Sequence, residues 1–148
     1  MKPINIICVD NLKEKYWKEA ASEYQKRLQK YCELNIFEIK ETDVENESAM
    51  LLNKINQNSK EFVILCDIFG QKFNSRQFSG LLNEKINQNS GITIIVGGSD
   101  GVNNEMKKRA DLLVSFSDLT FPHQMFRVIL LEQIYRAFKI NKNEKYHK

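Results

Sequence analysis

A chain of 148 residues that is 42% hydrophobic has the size of one domain and enough apolar side chains for a core without disulfides or a structural metal. A formal net charge of +3 names no partner, although from Arg136 to Lys148 five Lys/Arg residues stand against a single acid, Glu144. No run of about 18 apolar residues marks a membrane span. The opening Met1-Lys2-Pro3-Ile4 has no signal-peptide pattern, and the three scattered cysteines form no Cys-x-x-Cys pair, which points to a reducing, cytoplasmic setting.

Ile4–Val9 is an isoleucine-rich run that reads as a buried strand. Leu12, Tyr16, Ala20, Tyr24 and Leu28 then recur every fourth residue and predict a long amphipathic helix with its charged side outward. Leu34–Ile39 alternates as a second strand. Val44–Gln57 reads as a helix with Met50, Leu51, Leu52 and Ile55 inward. Phe62–Asp67 is apolar almost throughout, as a strand covered on both faces should be, and Gly70 is expected to end it. Asn74 is a suitable N-cap for a helix over Ser75–Ile86. Ile92–Val96 is a fourth strand, Asn103 or Asn104 caps a short helix to Ala110, and Leu112–Phe116 is a fifth strand. A loop over Ser117–Pro122 leads to a last helix, His123–Phe138, and Ile140–Lys148 reads as a tail with no core role. The segment Lys54–Ser59 recurs as Lys85–Ser90, which fits two equivalent helix-to-strand turns.

Strands alternating with helices predict one α/β domain over residues 1–148, with a mainly parallel sheet and helices on both faces. Ligands in such sheets bind beyond the carboxyl ends of strands. Those ends are Asp67–Gly70, Gly97–Gly101 and Ser117–His123. Gly97-Gly98-Ser99-Asp100-Gly101 serves either as a floor for a nucleoside-like cofactor or as a tight turn into a capped helix. Its spacing matches neither the dinucleotide fingerprint nor a P-loop. Ser117–His123 carries Leu119 and Phe121 where a loop is usually polar. They can pack on an adenine-like ring, on a partner subunit, or over the core. Pro122 fits a helix start, where its missing N–H costs little. His123 opens the helix, and the other histidine is distant His147, so no metal site is expected. Arg127, Glu132 and Arg136 on the last helix suit ion pairs, with Arg127 and Glu132 badly spaced for pairing with each other.

Lys-Glu-Lys-Tyr-Trp (Lys13–Trp17), Ile-Val-Gly-Gly-Ser-Asp-Gly (Ile95–Gly101), the run Ser115–Met125, the helix Arg127–Ile140 and terminal Tyr146-His147-Lys148 together resemble one family over essentially the whole chain. It is the bacterial large-subunit (23S) rRNA pseudouridine N3-methyltransferases (RlmH), minimal members of the SPOUT class. The resemblance implies a C-terminal trefoil knot, a homodimer joined through the knotted regions, and S-adenosylmethionine as methyl donor. Carried over by position, the cofactor contacts fall on Cys66, Gly97, Gly98, Asp118, Leu119, Thr120, Phe121, Pro122 and His123. Relatives carry leucine where Cys66 stands, and some carry arginine where Lys148 stands. The implied substrate is the pseudouridine conventionally numbered 1915 on the assembled ribosome. Arg136, with Tyr146 and His147 of the partner's tail (residues 140–148), is the expected substrate site. The rival readings are a non-catalytic RNA- or ribosome-binding α/β module and a flavodoxin-like or receiver domain. The second needs a phosphate loop or acidic pocket after the first strand, where only Asp10-Asn11 is available.

Overall fold

A computed structural model describes residues 1–56 and 60–148, with Asn56 given by its backbone alone. Ten elements alternate: β1 (Pro3–Val9), α1 (Lys15–Leu28), β2 (Glu33–Ile39), α2 (Val44–Asn56), β3 (Phe62–Lys72), α3 (Ser75–Gln88), β4 (Ile92–Val96), α4 (Asn104–Arg109), β5 (Leu112–Ser115) and α5 (His123–Asn141). The five strands form one parallel sheet in the order β2-β1-β4-β3-β5. The expected end of α2 at Gln57, and the first copy of the repeated turn, lie partly outside the described residues.

The side on which each helix lies follows from chirality. A parallel crossover is right-handed because a right-twisted strand and a right-handed helix return to the sheet only that way. The steps β1→β2 and β3→β4 run in one direction along the sheet and carry α1 and α3 on one face. The steps β2→β3 and β4→β5 run the other way and carry α2 and α4 on the opposite face. Two cores result. Ile4, Ile6, Cys8, Ile92 and Ile94 pack under α1, α3 and α5. Ile7, Val9, Val63, Leu65 and Ile95 pack under α2 and α4 through Leu51, Ile55 and Met106. The alternation of β1 residues between these two cores is the two-residue period of a strand covered on both faces.

Three boundaries differ from the sequence reading. The inward face of α1 is Trp17, Ala21, Tyr24 and Leu28, while Tyr16 is 61% exposed. A four-residue step advances about 400° around a helix, so a strict i, i+4 row drifts off the core. α1 also starts at Lys15, because the amides of Lys13 and Glu14 are taken by the Gln124 side chain instead of a helical turn. β3 does not stop near Gly70. Its pairing with β5 shifts register between Cys66 and Gln71 and resumes at Gln71–Val114 and Lys72–Ser115. Finally, α5 continues to Asn141, so the tail is shorter than expected. It is also not free of the core: Tyr146 packs edge-on to Tyr135 with ring centroids 4.9 Å apart.

The caps follow the sequence. Asn74 and Gln77 form a reciprocal capping box, and Asn103 rather than Asn104 caps α4 through the Met106 amide. At the amino ends of the strands a ladder of polar groups, Asn35–Asn5–Glu61–Thr93, joins β2, β1 and β4 to the residue before β3, with Asn5 and Thr93 buried. Among the described residues no buried side-chain nitrogen or oxygen lacks a partner.

After β5 the chain does not stay at its edge of the sheet. His123 Nε2 lies 2.7 Å from the carbonyl of Val9, at the end of β1. β4 and β3 stand between those two strands, so Ser117–Pro122 bridges about 14 Å of sheet at ~4.8 Å per strand. It passes over the carboxyl ends of β3 and β4. α5 then descends between α1 and α3 and packs against both.

Candidate cofactor cleft

The crossing segment forms one wall of a cleft of about 560 Å³, within the usual size of a small-molecule site. The cleft opens where a parallel sheet favours a ligand. The connections leaving β3 and β4 run in opposite directions, which leaves a crevice between their carboxyl ends. Of the residues expected to hold a cofactor, Cys66, Gly97, Gly98, Leu119, Thr120, Phe121 and His123 all line this cleft. Asp118 and Pro122 do not. The Asp118 carboxylate turns to Lys72 at 2.6 Å, and Pro122 caps α5 with φ −54°. Their contribution is to the path of the loop, with Asp118 tying it to the end of β3. The roof of the cleft is Ile68 and Phe69, inside the strand end Asp67–Gly70 that the sequence marked, although neither residue was singled out as a contact. They bulge out of β3 at the register shift and are 44% and 90% exposed. A glycine breaking an apolar strand was the available signal.

The glycine loop is both a floor and a turn. Gly101 sits at φ +78°, where an L side chain is strained, and its amide donates to the carbonyl of Gly98 at 3.0 Å. At Gly97 an added Cβ would stand 2.9 Å from Val102 Cγ1, and at Gly98 it would stand 2.8 Å from Glu47 Oε1. The floor is therefore bare backbone. The walls are largely apolar, from Val96, Val114, Phe116, Phe121 and Phe126. Burial, helped by the neighbouring Asp67 carboxylate, pushes the Cys66 thiol up to about 12. At neutral pH it is a small apolar wall and not a nucleophile. Leu119, expected to find cover, is 72% exposed in the single chain.

His123 is fixed by geometry. The Val9 carbonyl only accepts, so Nε2 carries the proton. One turn later Arg127, 3% exposed, reaches Glu38 with Nη1 at 2.5 Å and donates from Nη2 to the Asp10 carbonyl at 2.7 Å. Asp10 is at φ +72°, a conformation that aims its carbonyl at α5. Together with Gln124, these bonds clamp the first turns of α5, and hence the end of the crossing loop, to β1, its following loop and the end of β2. We expect Glu38→Gln to lower stability by about 2–4 kcal/mol, because it leaves a buried guanidinium without its counter-charge. Glu38 is 41% exposed, which keeps the loss toward the lower end. Thermal unfolding with and without S-adenosylmethionine reads the effect; an unchanged midpoint would mean that the clamp contributes nothing.

A second constellation lies further along α5. Arg136 donates from Nε and Nη2 to the Glu132 carboxylate, and its Nη1 lies 3.0 Å from His147 Nδ1. Tyr146 donates its hydroxyl to Glu132 at 2.9 Å, and the Arg136 guanidinium lies over its ring. Burial and the Glu132 carboxylate push the Tyr146 phenol above its ordinary range, so it holds its proton. The bond to Glu132 likewise strengthens the hold of Arg136 on its charge. Since a guanidinium only donates, His147 Nδ1 accepts here and its proton sits on Nε2. Arg136, Tyr146 and His147 are thus gathered around the α5 of their own chain, where the partner's tail was expected to bring the tyrosine and histidine to Arg136. Arg136 follows His123 by thirteen residues in α5, which at 1.5 Å per residue places it about 20 Å from the cleft end of the helix. Arg127, Glu132 and Arg136 divide as the spacing required: Arg127 pairs with Glu38 and Glu132 with Arg136.

Among the described residues, no three His, Cys, Asp or Glu side chains gather as metal ligands, and no helix is long and apolar enough to cross a membrane.

The model of a family described as predicted SPOUT methyltransferase matches residues 1–147. A protein of Caldicellulosiruptor bescii named ribosomal RNA large subunit methyltransferase H is 46% identical, with 98% of this chain and 99% of that protein covered. A Clostridium acetobutylicum protein of the same name is 43% identical with the same coverage. Among solved structures, a probable methylase family protein from Haemophilus influenzae superposes with a TM-score of 0.61 at 15% identity, covering 98% of this chain and 70% of that one. The TrmH/SpoU tRNA modifying enzyme of A. aeolicus gives 0.50 at 15% identity, covering 97% and 78%. These two likenesses speak for the fold alone. With a family model spanning nearly every residue and full-length relatives above 40% identity, this chain belongs to the SPOUT methyltransferases.

Proposed function

We propose that this protein transfers the methyl group of S-adenosylmethionine to N3 of the pseudouridine conventionally numbered 1915 in the 23S rRNA of the assembled ribosome. The observation that carries this reading is the gathering of Cys66, Gly97, Gly98, Leu119, Thr120, Phe121 and His123 around one cleft with a bare backbone floor. These residues fit an adenosyl group, which needs apolar walls for the purine and close backbone approach for its polar edge. When bound, S-adenosylmethionine supplies an electrophilic methyl on a sulfonium. The protein's own part is to align donor and acceptor and to keep water away.

N3 of a uracil-type ring must lose a proton as it is methylated. The Arg136 guanidinium keeps N–H groups on both terminal nitrogens beyond those used by Glu132 and His147. They suit the flanking carbonyl oxygens of an imide anion. Tyr146 and His147 hold that guanidinium in place and offer a ring face and an Nε2–H to the RNA. The roughly 20 Å between this cluster and the cleft end of α5 supports a site completed by a second chain. A homodimer supplies one, if the tail cluster of one protomer faces the cleft of the other. The exposed apolar rim, Phe69, Ile68 and Leu119, supports such a contact. The path of Ser117–Pro122 from the β5 edge back to β1 supports a trefoil knot as the scaffold of the loop. Recognition on this reading rests on the shape of the ribosome, and naked rRNA should be a poor substrate. On this reading the protein works in the cytoplasm, with its substrate.

Calorimetry with S-adenosylmethionine, followed by mass mapping of the rRNA loop from cells with and without the protein, tests the reading. One methyl group on that pseudouridine, present only with the protein, is expected. Binding of the cofactor with an unchanged loop mass would instead favour a non-catalytic ribosome-binding module.

A further inference from the structure

We propose that Lys107 on α4 binds the α-carboxylate of S-adenosylmethionine, and so sets which end of the cleft receives the amino-acid part. This rests on the cofactor reading of the cleft. Besides Cys66, whose thiol stays neutral, the lining residues with ionisable side chains are Asp67, Asp100, Lys107 and His123. His123 is committed to the Val9 carbonyl, and Asp67 accepts from the Phe69 amide at 2.8 Å. Among the described residues, Lys107 has neither an ion pair nor a side-chain hydrogen bond, although it is half-buried. Its base is nevertheless rigid. Met106 beside it is fully buried against the sheet, and Asn103 caps the same short helix.

The ligand's charges are unevenly placed. Its purine is neutral, whereas its amino-acid end carries two cations, the sulfonium and the ammonium, and one anion, the carboxylate. The crossing loop and α5 contribute Phe121 and Phe126, suited to the purine. The opposite wall, formed by the glycine loop and α4, contributes Asp100 and Lys107, one of each sign. A carboxylate placed there meets a cation with no protein partner among the described residues, and the ammonium meets Asp100. The reverse orientation sets the carboxylate against aromatic rings and leaves Lys107 unused. A lysine suits this role, being a point charge on a flexible stem that needs no fixed bidentate geometry.

The test compares S-adenosylhomocysteine with its carboxamide, which differs in that one charge, by calorimetry on the full protein and on Lys107→Met. The native protein should bind the acid about tenfold more tightly than the amide, the scale of one charge-assisted hydrogen bond. In Lys107→Met that preference should vanish while amide binding stays within about twofold, and Lys107→Arg should restore it. A variant that keeps the preference, or a native protein that shows none, overturns the assignment. Failure of the native protein to bind either compound would instead overturn the cofactor reading beneath it.

Discussion

Arg136→Ala and Gly97→Leu, each inactive alone, should regain methyl transfer when their subunits are mixed into one dimer. In Arg136→Ala the cleft is untouched, so cofactor affinity should stay native while ribosome methylation falls at least about a hundredfold, the usual cost of a lost charge-stabilising donor. In Gly97→Leu the side chain rises from the cleft floor and crowds Val102, which an added Cβ already approaches to 2.9 Å. Cofactor binding should be lost with the fold retained. A mixed dimer then pairs the intact cleft of one subunit with the intact Arg136–Tyr146–His147 cluster of the other, and should recover about half the native rate per dimer by symmetry. The two mixed subunits are separated by affinity tags and assayed on ribosomes. No recovery would mean that cleft and cluster act within one chain, against the roughly 20 Å of helix between them. Removing Tyr146–Lys148 should reproduce the Arg136 defect, because the tail holds both the stacking ring and the histidine against that guanidinium.

Gly70→Ala should destabilise the fold severely for a single added methyl group. An added Cβ would lie 2.6 Å from the backbone carbon of Leu113 and the amide nitrogen of Val114. Neither can move without parting β3 from β5. The strain falls where their register shifts, directly under the Ile68–Phe69 roof of the cleft. A loss of about 3 kcal/mol or more is expected for overpacking against main chain, lowering the midpoint of a domain this size by about 10 °C. Gly80→Ala is the control. It sits exposed in the middle of α3, where a Cβ meets nothing within 4 Å, so it should gain about 0.5–1 kcal/mol from helix propensity. Thermal unfolding of the two variants side by side decides the matter. Equal midpoints would show that the close approach at Gly70 relaxes freely.

The order of strands and helices, and the two-faced sheet, were legible in the amino-acid sequence. β1, β3 and β4 are continuous apolar runs, and their length and flanking turn residues mark them as strands covered on both sides. The Asn74 cap was legible for the same local reason, a short acceptor side chain preceding an amide that needs one, whereas the choice of Asn103 over Asn104 came from the structure. Motifs also marked the lining of the cleft, since glycines and an apolar loop at strand ends are locally odd. Tertiary structure decided the rest. Periodicity could not show that β3 resumes after its bulge, because that pairing depends on where β5 lies. It could not show that Arg127 is buried, since Glu38 and the Asp10 carbonyl that hold it are distant in sequence. Nor could it show that Asp118 faces Lys72 instead of the cleft, or that the tail folds back on its own helix. Local propensity is set by neighbours along the chain, whereas burial and charge pairing are set by neighbours in space. The cleft needed both: sequence supplied its bare floor, and the return of the chain from β5 to β1 closed a wall over it.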